Sequence, residues 1–159
     1  HELVKIVIRK AGFDTGGLNI EMIRDTKDQI YCLEIGARNG GNFMPQLMKH
    51  ATGFDLVKAN VNTLLSEPFP FENHKAPDKF YAQVIIHSNH KGYFGEVNIP
   101  RTLKDSIIEE HIFYSKGDKI PAYSNSRDVV GVLIIEMNSK NELLAYQQTL
   151  SDWNWVITL

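Results

Sequence analysis

Residues 16–42 read GGLNIEMIRDTKDQIYCLEIGARNGGN. Two apolar, alternating runs, Leu18 to Arg24 and Ile30 to Ile35, flank the polar segment Asp25-Thr26-Lys27-Asp28-Gln29. That is the pattern of a β-hairpin. Lys27-Asp28 lacks the glycine common in two-residue turns, which leaves the turn type open. A loop centred between Lys27 and Asp28 pairs Arg24 with Tyr31, Met22 with Leu33 and Glu21 with Glu34. Alternation then predicts a core face of Leu18, Ile20, Met22, Tyr31, Leu33 and Ile35. The opposite face carries Asn19, Glu21, Ile23, Cys32, Glu34 and Arg38.

Two glutamates facing each other across a strand pair stand roughly 4.5–5.5 Å apart at Cβ. Like charges there destabilise a sheet unless one is protonated or a cation lies between them. A hard divalent cation answers the problem, since Mg²⁺ commonly takes one or two carboxylates together with phosphate oxygens and water. Arg38 follows just before Gly40-Gly41, placed to stabilise charge that develops on a phosphoryl group. By itself the hairpin is explained equally well as an exposed sheet whose solvent face happens to be acidic.

The residues reach a family at this point. The stretch closely resembles the metal-binding hairpin of ATP-grasp enzymes, whose pattern of a first glutamate, then Glu-x-x-x-Arg, is matched by Glu21, Glu34 and Arg38. The run Glu34 to Gly41, EIGARNGG, looks most like the amino-acid (carboxylate–amine) ligase branch. The resemblance implies magnesium or manganese held by Glu21 and Glu34, ATP as substrate, and Arg38 as the catalytic arginine. It also implies an acyl-phosphate mechanism, in which ATP phosphorylates a carboxylate and an amine displaces the phosphate. Ile23 would contact the nucleotide, and the Gly40-Gly41-Asn42 loop would orient the acceptor or the acyl phosphate. Many members carry a metal-binding Asn two residues after the second Glu, where this chain has Gly36. Either one metal is held less completely, or Asn19, across the hairpin from Gly36, contributes.

Length and composition agree with a soluble globular protein. The 159 residues suffice for one good-sized core or two small subdomains. Hydrophobic content of 43% and charged content of 23% are ordinary. A net charge of −2 and a pI near 6.3 argue against nucleic-acid binding as the main role. Cys32, the single cysteine, excludes an intrachain disulfide. No apolar run reaches the roughly 18 residues of a membrane span, and cytosol is the default expectation. His1 reads as a tag remnant, and the chain as a piece of a longer polypeptide. The resemblance agrees, because such enzymes place their adenine-contacting residues, phosphate-binding lysines and glycine-rich loop ahead of the metal hairpin. The N-terminal part of the same polypeptide is thus an expected partner, and a homodimer is allowed.

Along the chain, Glu2 to Ala11 is ambiguous by periodicity. Its β-branched core favours strand, but Leu3, Ile6 and Val7 fit a helical face and Gly12 suits a C-cap. We read it as a helix, as the family has. A helix follows around Phe43 to His50, ended by Thr52-Gly53. A second opens at Phe54-Asp55-Leu56-Val57 and runs to about Leu65, with Asp55 explained by charge compensation near the helix start. Ser66 to Pro77, with three of the six prolines, is a connector. Strands are expected over Phe80 to His87, Tyr93 to Ile99, Ile107 to Tyr114, Val129 to Glu136 and Trp153 to Ile157. A short helix is expected at Leu103 to Ser106, and a longer one over Lys140 to Leu150 capped by Ser139. This order resembles the lid subdomain of carboxylate–amine ligases and, more loosely, of biotin carboxylase.

The expected fold class is therefore α+β: the C-terminal half of an ATP-grasp fold, an antiparallel sheet with flanking helices, then a small β-rich lid. The boundaries are residues 1–66, a connector at 67–77, and 78–159. Other chemistry is thinly supported. His87 and His90 lack a third zinc ligand nearby. His50, His74 and His111 are scattered, and no GxSxG elbow is present. Trp153, Trp155, Phe69 and Phe71 read as packing residues, and Asp105, Glu109 and Glu110 as a solvated acidic stretch. The preferred function is an ATP-dependent carboxylate–amine ligase. The alternatives are a carbamoyl-phosphate-synthetase-like or biotin-carboxylase-like enzyme, and a non-catalytic folding or dimerisation module. Neither nucleic acid nor membrane is an expected partner.

Overall fold

A computed structural model describes residues 2–68, 76–150 and 153–159. The expectations for His1, Phe69, Phe71 and His74, and most of the connector, lie outside these residues. The chain divides into two compact units, the first ending at Lys75 and the second beginning at Ala76.

The first unit contains α1 (Glu2–Lys10), β1 (Asn19–Arg24), β2 (Ile30–Gly36), α2 (Met44–Thr52) and α3 (Leu56–Leu64). Helix α1 settles the ambiguous start of the chain. It ends as a Schellman turn, with Phe13 N–H donating to Ile8 O at 3.2 Å and Gly12 N–H to Arg9 O at 3.1 Å. Gly12 has φ +67°, where a Cβ is costly. Strands β1 and β2 form an antiparallel two-stranded sheet. Helix α2 starts at Met44, one residue later than expected, because Asn42 and Phe43 are both left-handed, with φ of 51° and 62°.

Asp55 does more at α3 than compensate charge. Its carboxylate accepts from Lys58 N–H at 2.9 Å as an N-cap, and pairs with Lys49 Nζ at 2.9 Å. The Lys58 N–H, then Lys49, hold its pKa below the ordinary carboxylate value, outweighing desolvation. A depressed folded pKa stabilises the fold above the unfolded value of about 3.9 and ceases to do so as pH falls through the folded value. Asp55→Ala should therefore cost about 1 kcal/mol at neutral pH, and the gap to wild type should close in acid below that range. Urea titrations at pH 7 and at steps below the unfolded value check this, the gap narrowing as pH falls. Asp55→Asn keeps the cap and should lose less.

The second unit is a β structure with one long helix. It comprises β3 (Phe80–His87), β4 (Gly92–Val97), a 3₁₀ turn (Arg101–Ser106), β5 (Ile107–Ile112), β6 (Lys119–Ile120), β7 (Val129–Met137), α4 (Lys140–Leu150) and β8 (Val156–Thr158). One sheet has the order β3-β7-β5 and the other β6-β4-β8, all pairs antiparallel. The central strand β7, VVGVLIIEM, is buried along almost its whole length, which its continuous apolar run explains. Ile86, Phe94, Leu103, Ile120, Leu133 and Trp155 belong to the core around it. Ser139 Oγ accepts from Glu142 N–H at 3.1 Å, capping α4. Trp153 donates its indole N–H to Asn98 O at 2.7 Å. Glu109 is not simply solvated: it meets His111 Nε2 at 2.9 Å.

Candidate functional site

The hairpin loop has three residues rather than two. Asp25 N–H donates to Gln29 O at 3.0 Å, closing Thr26-Lys27-Asp28, and Asp28 takes the left-handed conformation with φ 61°. Asp25 Oδ1 accepts from Lys27 N–H at 2.8 Å and Gln29 N–H at 2.9 Å, which holds the turn without glycine. The odd loop changes the register beside it, where Arg24 faces Ile30, Ile23 faces Tyr31 and Met22 faces Cys32. A bulge at Leu33 then adds one residue to β2, so Glu21 faces Glu34, Ile20 faces Ile35 and Asn19 faces Gly36.

The bulge corrects the expected faces. Tyr31 lies on the side of Ile23 and Glu21, and Cys32 on the side of Met22 and Ile20. Cys32 joins Val7, Ile8, Phe13, Leu18 and Ile35 around a cleft under α1. The predicted core face is not closed: Met22 is 52% exposed, Tyr31 51% and Leu33 63%.

Glu21 and Glu34 are both exposed and directly opposed. Neither carboxylate has a hydrogen bond or ion pair to another described residue, so no described residue supplies a compensating cation. No third His, Cys, Asp or Glu gathers with them among the described residues. Two hard oxygen donors facing each other without a counter-charge suit a magnesium or manganese ion whose remaining ligands come from phosphate and water. Ile23 sits two residues along β1 from Glu21 and shares its face.

Arg38 lies beyond the strand, not on it as the sequence suggested, because β2 ends at Gly36. Its N–H donates to Gly36 O at 2.8 Å, making a tight bend. The side chain folds over Gly36, where a Cβ would stand 3.6 Å from Arg38 Cγ. Nη1 donates to Asn39 O at 2.9 Å, and no described carboxylate neutralises the guanidinium. Gly40 is crowded: a Cβ there would lie 3.1 Å from Met44 Cβ and 3.3 Å from Asn19 Oδ1. At Gly41 the space is open. The start of α2 offers fewer amide donors than a free helix end, since Met44 N–H donates to Gly41 O and Pro45 has none.

Sequence reading missed what anchors this loop. A Cβ on Gly17 would stand 2.6 Å from Asn39 Oδ1 and 2.8 Å from both amide atoms of Asn60. Asn39 Nδ2 also reaches Leu56 O at 3.4 Å. A side chain at Gly17 would have to displace these two amides, and the Gly16-Gly17 pair was the available signal.

No family model matches the chain, and neither does any curated protein sequence. Its fold does match solved structures. Phosphoribosylglycinamide synthetase from Anaerococcus prevotii superposes with a TM-score of 0.79 at 21% identity, over 98% of this chain and 40% of that one. An L-amino acid ligase from Bacillus licheniformis gives 0.78 at 23% identity, over 99% and 40%. The biotin carboxylase domain of Hydrogenobacter thermophilus 2-oxoglutarate carboxylase, solved as a dimer with magnesium ADP and bicarbonate, gives 0.70 at 16%, over 98% and 35%. The chain thus has the α+β ATP-grasp fold, in a portion spanning about two fifths of the length of these neighbours.

Proposed function

We propose that this chain is the C-terminal, metal-binding portion of an ATP-dependent carboxylate–amine ligase. The observation that carries the reading is Glu21 opposed to Glu34 with no cation from a described residue paired to either. A divalent magnesium or manganese ion held there would neutralise the triphosphate and template in-line transfer. The substrate carboxylate oxygen attacks the γ-phosphorus, the bond to the β–γ bridging oxygen breaks, and ADP leaves. The amine nitrogen then attacks the acyl carbon, loses a proton, and expels phosphate with the C–O electron pair.

Arg38 presents donors to the phosphoryl oxygens as charge moves through them. Gly40, Gly41 and Asn42, on the loop directly after it, orient the acceptor, and Ile23 packs against the nucleotide. The reaction belongs to the complete polypeptide, whose N-terminal part brings the remainder of the nucleotide site. This chain alone should be inactive and bind magnesium ATP weakly. No helix among the described residues is long and apolar enough to cross a membrane, and we place the enzyme in the cytoplasm.

Phosphate release from ATP by the complete polypeptide, against a panel of amino-acid pairs, tests the proposal. Release should depend on the pair and disappear in Glu34→Gln. Release with bicarbonate alone would move the protein to carboxylase-type chemistry. Absence of nucleotide binding would leave a folding or dimerisation module.

A further inference from the structure

We propose that Asn19 supplies a third protein oxygen to the cation held by Glu21 and Glu34. The inference rests on the metal reading above and adds a ligand to it. Asn19 is two residues from Glu21 on β1 and so shares the glutamate face. Its cross-strand partner is Gly36, which offers no side chain. The Asn19 side chain is half-buried, and its carboxamide has no hydrogen-bond partner among the described residues. Its amide atoms stay open to solvent, so the oxygen is free to take a ligand without first breaking a bond within the protein. Its Oδ1 lies 3.3 Å from where a Gly40 Cβ would be, which places the oxygen beside the loop that carries Arg38.

The chemistry suits that place. A carboxamide oxygen is a hard, neutral ligand. It adds to the coordination number without a third negative charge, so the pair of glutamates and a divalent ion remain balanced. A purely structural role for Asn19, propping Gly40, would make a different prediction, because it depends on shape and not on the oxygen.

The test uses the complete polypeptide with ADP and Mn²⁺ as the probe, free Mn²⁺ being counted by electron paramagnetic resonance. Asn19→Ala should weaken Mn²⁺ binding about ten- to a hundredfold, the range for losing a supporting group at a metal site. Asn19→Asp, which keeps an oxygen there, should bind at least as tightly as wild type. The double variant Asn19→Ala/Gly36→Asn should recover affinity by presenting the amide from the facing position. Gly36 does not have a positive φ, and a Cβ there makes only ordinary contact with Arg38.

Affinity within twofold of wild type in Asn19→Ala, with Glu34→Gln clearly weakened, would overturn the role of Asn19 and leave the metal hairpin standing. Both variants within twofold would overturn the metal reading itself. Weakening in Asn19→Ala that neither Asn19→Asp nor Gly36→Asn repairs, with a lowered melting temperature, would make Asn19 a structural prop and sink the ligand assignment.

Discussion

Arg38→Ala in the complete polypeptide should bind ATP nearly as well as wild type and turn over about a thousandfold more slowly. Arginines that meet charge on a transferring phosphoryl group are worth roughly 10³–10⁵ in kcat, and the lower end suits a residue as exposed as Arg38. On the proposed reading the effect falls on kcat, because the guanidinium has no described carboxylate partner and would meet its counter-charge during transfer. Arg38→Lys should recover only part of the loss, since an ammonium keeps the charge but not the planar fork of donors. Steady-state kinetics with ATP varied provide the check. A raised KM with unchanged kcat would reduce Arg38 to a nucleotide-binding residue.

The second large effect concerns stability and lies in the other unit. Leu133 is fully buried at the centre of β7, in the core with Ile86, Leu103, Ile135 and Trp155. Leu133→Ala should cost about 2–5 kcal/mol through lost burial and the cavity left behind. That is a large share of the 5–15 kcal/mol that typically holds a protein folded. Leu33→Ala, at a leucine 63% exposed, should change stability by less than about 0.5 kcal/mol. Urea unfolding of both variants decides it. Equal losses at the two leucines would mean that the hairpin face is covered in solution.

The same two leucines explain what the sequence disclosed. Leu133 stands in a long apolar run whose burial needs no tertiary knowledge, and the strand was read correctly. Leu33 looked identical by alternation, yet it is the extra residue of a bulge. The opposed glutamates were found through an assumed two-residue loop. The real three-residue loop shifts the register by one, and the bulge at Leu33 shifts it back. Two departures, each invisible in residue type, cancel at Glu21 and Glu34 and do not cancel at Tyr31 and Cys32.

Long-range pairing was illegible for another reason. Strand β7 joins β3 and β5 through residues tens of positions apart, and alternation says nothing about which strands become neighbours. The two-residue strand β6 carries too few residues for any period, although its Ile120 is buried in the core. The strained pair Asn42 and Phe43 gave no signal, and it moved the start of α2 by one residue. The constraint on Gly17 comes from Asn39 and Asn60, which only folding brings beside it.

The bulge at Leu33 also works as a splice between two registers. From Met22 to Arg24 each residue faces a partner one position nearer the turn than the pairing from Asn19 to Glu21 would give it, and the extra residue takes up the difference. Segments on either side of a splice are expected to tolerate change separately. Grafting a different turn between Ile23 and Tyr31 should therefore leave Asn19 opposite Gly36 and Glu21 opposite Glu34, which amide hydrogen exchange along the two strands would check.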